Sequence, residues 1–250
     1  MYIQKHKVME VLEKLRDDNH YYGEFGQKYL SNSVIKTLLE NPKSFGQEVE
    51  KTKAMIEGSY LHTLLLEPEK ADDFVVVDAS TRNTKVYKEA LAESSQEILL
   101  LQKEADEMRE CADALTSNME IYDIIRDSSN VYEEPAIKEI FGNLWKSKRD
   151  IGNSAMTIDI KTTSDIQKFK RSAWMYNYDS QAWIYEQQWG VPMVFIVVDK
   201  ITKQVGMYTC SDDFLQRGKD KVIRATEVYN KYFHPDATDD IDEFIIKDIL

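Results

Sequence analysis

The sequence predicts a mixed α/β fold, a mixed β-sheet flanked by helices, with a mainly helical N-terminal portion. Three observations carry that reading. Apolar residues recur at helical spacing through most of residues 1–126. From Val131 the chain changes to short runs of strand character separated by turn residues. An aromatic-rich stretch of helical periodicity, Ala173 to Trp189, then precedes Met193 to Val198, an almost wholly apolar strand. A chain of 250 residues with 42% hydrophobic composition can bury one sizeable core. A single unit over 1–250 is therefore expected, with a helical portion at 1–126, a core at 131–233 and an acidic tail at 234–250.

In chain order, Val8, Val11, Leu12 and Leu15 share a helical spacing within residues 4–19, and Asp17-Asp18-Asn19 with Tyr21-Tyr22-Gly23 ends that helix. Ser31-Asn32-Ser33 supplies an N-cap for a short helix carrying Val34, Ile35, Leu38 and Leu39, which Asn41-Pro42 stops. Ala54 to Leu66 reads as a buried helix that contains His62 and ends at Glu67-Pro68. Phe74 to Val77 predicts a short strand. From about Lys85 to Arg126 a charge-rich helical pattern without proline or glycine predicts two helices. Val131 to Ile140, Leu144 to Asp150 and Ala155 to Lys161 form a predicted meander, turning at Phe141-Gly142-Asn143 and Gly152-Asn153. Gly190-Val191-Pro192 breaks the following helix, Val205 to Cys210 adds a strand, and a last helix spans about Asp212 to Tyr232.

Cys111 and Cys210 lie far apart with no CxxC or Cys/His spacing, which weighs against a zinc site, an iron–sulfur cluster or a disulfide framework and suits a reducing cytosol. The first residues are charged and amphipathic, and the longest apolar runs are too short for a bilayer, so a soluble cytoplasmic protein with no membrane association is expected. The net charge of −12 argues against a protein that coats DNA indiscriminately, because Lys and Arg on phosphates supply most non-specific affinity. The cations are unevenly placed, however. Lys146, Lys148 and Arg149 precede one acid of interest, and Lys161, Lys168, Lys170 and Arg171 surround and follow another.

Those acids are Asp150 and Asp159, the second within Asp159-Ile160-Lys161-Thr162-Thr163. Ala155 to Ile160 alternates apolar and polar residues, so Asp159 and Lys161 share one face of a strand. A carboxylate and an ammonium so placed can hold a divalent metal and orient a water beside a phosphodiester. Asp150 would be the second carboxylate ligand, and Mg²⁺, with Mn²⁺ as substitute, is the expected ion because hard cations take oxygen ligands. Lys161 would orient the water or stabilise charge developing at phosphorus. Gln181 and Tyr185 lie four apart and share a helix face. Lys168, Lys170 and Arg171 are followed by Trp174, Tyr176 and Tyr178, which reads either as a solvated face or as the wall of a DNA channel.

These residues resemble the PD-(D/E)xK nucleases and, within them, the RecE-type exonucleases of phages and prophages. The likeness spans most of the chain. Asp150, Asp159 and Lys161 fill the D…(D/E)xK positions, and the string from Asp159 to Phe169 is similar to the RecE-type form of the motif. Tyr178 to Tyr185 resembles the helix whose Gln-x-x-x-Tyr pair borders the site, here Gln181 and Tyr185, in reach of the scissile phosphate or Lys161. Glu57 to Pro68 resembles the Gly-x-x-x-His helix that brings His62 to the metals. Glu134 matches an acidic position completing the metal shell, with Glu133 beside it leaving the register open, and the Ile160 backbone carbonyl would be a further ligand. Arg149 stands where the family usually has proline.

The resemblance implies a restriction-endonuclease-like core and a Mg²⁺-dependent exonuclease of the bacterial host cytoplasm. It implies 5′→3′ digestion of double-stranded DNA ends, a RecT-like single-strand-annealing recombinase as partner, and a homo-oligomeric ring, trimer or tetramer. Lys148, Arg149, Lys168, Lys170 and Arg171 are the expected DNA contacts. Two alternatives stay open: a Cas4-like or RecB-like nuclease of other polarity on the same core, and a non-catalytic DNA-end-binding protein of the same fold.

Overall fold

The computed structural model describes residues 2–245, with side chains from residue 8 onward; residues 246–250 of the expected acidic tail lie outside the described residues. Helix α1 (Tyr2–Arg16) buries Leu15, and Asp17 caps α2 (Asp18–Tyr22) by accepting from the Asn19 and His20 amides. Helix α3 (Asn32–Glu40) turns Ile35 and Leu38 inward and stops before Pro42, which cannot donate the next helical bond. Thr52 caps α4 (Lys53–Leu66), which buries Tyr60, Leu61 and Leu65 and carries His62.

The region expected to hold two helices holds three: α5 (Lys85–Glu93), α6 (Gln102–Ser117) and α7 (Met119–Ile125). Between α5 and α6 the chain extends so that Leu100–Leu101 (β2) pairs in parallel with Val76–Val77 (β1), which shortens the strand expected at 74–77. Leu99, Leu100 and Leu101 are buried there, and packing overrides the local helical pattern. Asn118 caps α7 and so marks the second break.

The main sheet runs β3-β4-β5-β6-β7, formed by Val131–Ile140, Asn143–Gly152, Thr157–Thr163, Met193–Asp199 and Val205–Thr209. Within this sheet only β5 and β6 pair in parallel, and the crossover between them carries α8 (Phe169–Met175) and α9 (Tyr178–Trp189). The aromatic helical stretch is thus two helices, broken at Asn177 with φ +57°. Ser211 caps α10 (Asp212–Tyr232).

Alternation along β6 shows how the layers stack. Ile196 and Val198 pack with α4, α6 and α7 against Ile158 and Ile160; Met193, Phe195 and Val197 pack with α3, α9 and α10 against Trp145. Both faces of β6 are covered, which is why the strand reads as continuously apolar. Gly218 lets α10 approach α9, since a Cβ there would lie 2.1 Å from the Asp179 carbonyl oxygen.

The β4–β5 ladder is short: Gly152 pairs with Thr157 and Ile151 with Ile158, and beyond Ile158 the strands part. Leu30 takes up the freed edge of β4, its amide donating to the Leu144 carbonyl and its carbonyl accepting from the Lys146 amide. This fork positions the candidate site.

Candidate active site

Asp150 stands at the fork. Its Oδ2 accepts from the Ile160 amide at 2.8 Å, where continued strand pairing would otherwise have used that donor. The Ile160 carbonyl accepts from His62 Nε2 at 2.9 Å, and a carbonyl can only accept, so His62 Nδ1 is turned toward Asp150 Oδ1, 3.5 Å away. Both polar backbone groups of one β5 residue therefore fix an acid from β4 and a histidine from α4. Asp159 is buried beside them; its Oδ1 accepts from Gln181 Nε2 at 2.5 Å and its Oδ2 pairs with Lys161 Nζ at 2.5 Å. Lys161 Nζ also lies 4.9 Å from the centre of the Tyr178 ring.

The third acid is Glu133. In the register that pairs Tyr132 with Ile151 and Glu134 with Arg149, Glu133 stands opposite Asp150. Its φ of +47° departs from strand geometry, at a cost of about 1–3 kcal/mol for a residue other than glycine. Ligand atoms of His62, Glu133 and Asp150 lie within 4.8 Å of one another. Burial and the Asp150 charge hold Glu133 above the ordinary carboxylate range. Burial, with the neighbouring Asp159, does the same to Asp150. For His62, burial opposes protonation, but Asp150, Asp159 and Glu133 outweigh it and raise its pKa. Burial likewise opposes the Lys161 charge and is outweighed by Asp159, so Lys161 stays cationic. Carboxylates and an imidazole crowded to this degree fit a divalent cation, whose charge would replace the protons they otherwise retain.

Several expected site residues are placed differently. Glu134 points away from the acids and is bound by Arg149, with Nε at 2.8 Å and Nη2 at 2.5 Å. One residue along a strand reverses the face, so Glu133 replaces Glu134 in the cluster. Arg149 is itself buried, stacked 4.9 Å from the Trp189 ring, and offers nothing to DNA. In the place of the family's proline it anchors β4 through that packing. Lys148 is turned inward, paired with Asp18 and 4.0 Å from Glu133. Tyr185 does not reach Asp159 or Lys161. Its buried hydroxyl donates to the Lys148 carbonyl at 2.9 Å and holds β4 just before Asp150. Lys168 pairs with Asp165, while Lys170 and Arg171 are exposed. Cys111 and Cys210 are free thiols. No helix among the described residues is long and apolar enough to cross a membrane.

A mixed sheet that forks to seat an aspartate, beside an acid-x-lysine strand and between two helical layers, defines the PD-(D/E)xK nuclease fold. The chain belongs to the family described as PDDEXK-like domain of unknown function (DUF3799), which it matches over residues 30–242. Its structure is similar to the crystal structure of a "Putative exonuclease" from Eubacterium rectale, with a TM-score of 0.64 and 18% identity, covering 94% of this chain and 95% of that one. The crystal structure of SSO0001 aligns with a TM-score of 0.30 and 13% identity over 76% of this chain and 84% of that one. No curated protein matches the chain.

Proposed function

We propose that this protein is a metal-dependent deoxyribonuclease that digests linear double-stranded DNA from its ends in the 5′→3′ direction. The observation that carries the hydrolytic reading is the convergence of Asp150, Asp159, Glu133, His62 and Lys161 at the strand fork. Mg²⁺ or Mn²⁺ held by His62, Glu133, Asp150 and Asp159 would polarise a phosphoryl oxygen and lower the pKa of water. The chain's own groups do the rest. Lys161, kept cationic by Asp159, meets negative charge as it develops at phosphorus. Gln181 holds the Asp159 carboxylate in one orientation, and the Ile160 carbonyl fixes which His62 nitrogen faces the acids. Tyr185 keeps β4 in place and is a positioning residue.

Polarity, the end preference and delivery of 3′ strands to a RecT-like annealing partner rest on the likeness of the Asp159–Phe169 string and the His62 helix to RecE-type enzymes. So does assembly into a ring. The test is digestion of closed circular DNA and of linear duplex labelled at the 5′ or the 3′ end, with Mg²⁺ or Mn²⁺, alongside Asp159→Asn. Early release of the 5′ label from linear DNA alone, lost in the variant, is the expected result. Early release of the 3′ label would reject the polarity, and binding of ends without cleavage in either metal would reject the enzyme.

A further inference from the structure

We propose that the exposed Trp174 and Tyr176, the latter leading inward to Tyr178, stack the unpaired bases of the strand being cut, so that DNA meets the acids as a frayed or single-stranded end. The inference rests on the nuclease reading above and names the form in which the substrate enters. Three consecutive large side chains are exposed here, Trp174 at 55%, Met175 at 50% and Tyr176 at 59%. Their outward position is built. Asn177 breaks the crossover in the left-handed conformation, and its carbonyl accepts from Asn32 Nδ2 of α3 and from Ser180 Oγ. Lys221 of α10 donates to the Trp174 carbonyl, to Asn177 Oδ1 and to the buried Asp179.

From this turn Tyr176 and Tyr178 lead to the reacting groups, and the exposed Trp174 ring lies 5.8 Å from Lys221 Nζ. Tyr176 lies 6.1 Å from Tyr178, centre to centre, and Tyr178 lies beneath Lys161 Nζ at 4.9 Å. Tyr178 is fixed from behind by stacking on Phe195 at 5.5 Å. The charge around the row suits a phosphate backbone. Between Ile166 and Asn177 there are three cations and no acid, in a chain of net charge −12. Lys170 and Arg171 are exposed, and neither makes an ion pair among the described residues. Every base has a π-face, so aromatic stacking beside a cationic track binds single strands without sequence preference. An apolar protein surface would gain little from the cations and has no reason to adjoin Lys161.

Trp174→Leu and Tyr176→Leu, with Tyr176→Phe retaining the ring, separate these possibilities by two readouts. One is the affinity for short fluorescent oligo(dT) in Ca²⁺. The other is kcat/KM in Mg²⁺ on duplexes whose terminal nucleotides are intact or abasic. Each leucine variant should lose roughly tenfold in oligo(dT) affinity and in kcat/KM on the intact duplex, while Tyr176→Phe retains both. Abasic ends should lower wild-type kcat/KM and cost the leucine variants little more. Unchanged oligo(dT) affinity in the leucine variants would overturn the proposal, as would an equal abasic penalty in variant and wild type. A shift in sedimentation with affinity intact would also overturn it and assign the row to subunit contact. Wild-type protein that cuts no DNA yet binds oligo(dT) through these rings would reject the nuclease reading and keep the stacking row.

Discussion

Glu133 and Glu134 are neighbours of one chemical type with opposite work, and two substitutions separate them. Glu133→Gln should weaken Mn²⁺ binding by at least about tenfold in calorimetry while leaving the fold intact. Glu134→Gln should leave Mn²⁺ affinity near wild type and cost about 1–3 kcal/mol in denaturant unfolding, because the buried Arg149 loses its carboxylate. The cluster also sets a pH dependence. Glu133, Asp150 and His62 all titrate higher in the folded protein than in the unfolded chain, so the folded state binds more protons over that interval. The contribution of the two acids to metal-free stability is therefore complete below about pH 4 and declines as pH rises toward about 7, whereas that of His62 is complete up to about pH 6.5 and is lost above it. A divalent cation competes for the same sites, so Mn²⁺ should raise Tm more at about pH 7.5 than at about pH 5. Equal gains at both pH values would contradict this account. Which acid belongs to the cluster was open in the sequence, because two adjacent glutamates on a strand differ only in the face they take.

At the scale of elements, the site is held by close approach of helices to a forked sheet. Gly218→Ala would drive a methyl group into the Asp179 carbonyl and push α10 from α9. The expected outcome is a loss of about 1–3 kcal/mol with reduced activity, since α9 also carries Gln181. An unchanged Tm would show that the helices have slack. The meander, α3, α4 and α10 were legible from alternation, caps and prolines. The breaks between α5 and α6 and at Asn177 were not, because neither carries proline or glycine and each depends on distant packing. Leu99 to Leu101 extend to bury themselves, and Asn177 is fixed by Asn32 and Lys221.

For the molecule as a whole, the charge distribution limits how one chain can grip DNA. Lys146 and Lys148, which looked like a basic approach to Asp150, are spent inside: Lys146 on the Tyr21 carbonyl and Lys148 on Asp18. With Lys170 and Arg171 as the exposed cations of the crossover that are unpaired among the described residues, log affinity against log salt should slope by only about −2 for a single chain. A slope steeper than about −5 in anisotropy titrations would show that further cationic surface is supplied by neighbouring subunits, as ring assembly would do. The sequence by itself determined the fold class, the strand that presents Asp159 and Lys161 together, and the helix that bears His62. Those features follow from local periodicity and from the side-chain types that phosphodiester chemistry needs. Only the tertiary structure decided that Glu133 rather than Glu134 faces Asp150, that Arg149 and Lys148 are structural, and that Tyr185 acts through the backbone. Strand pairing sets the face of each residue, and the place where β4 leaves β5 has no signature in either strand alone.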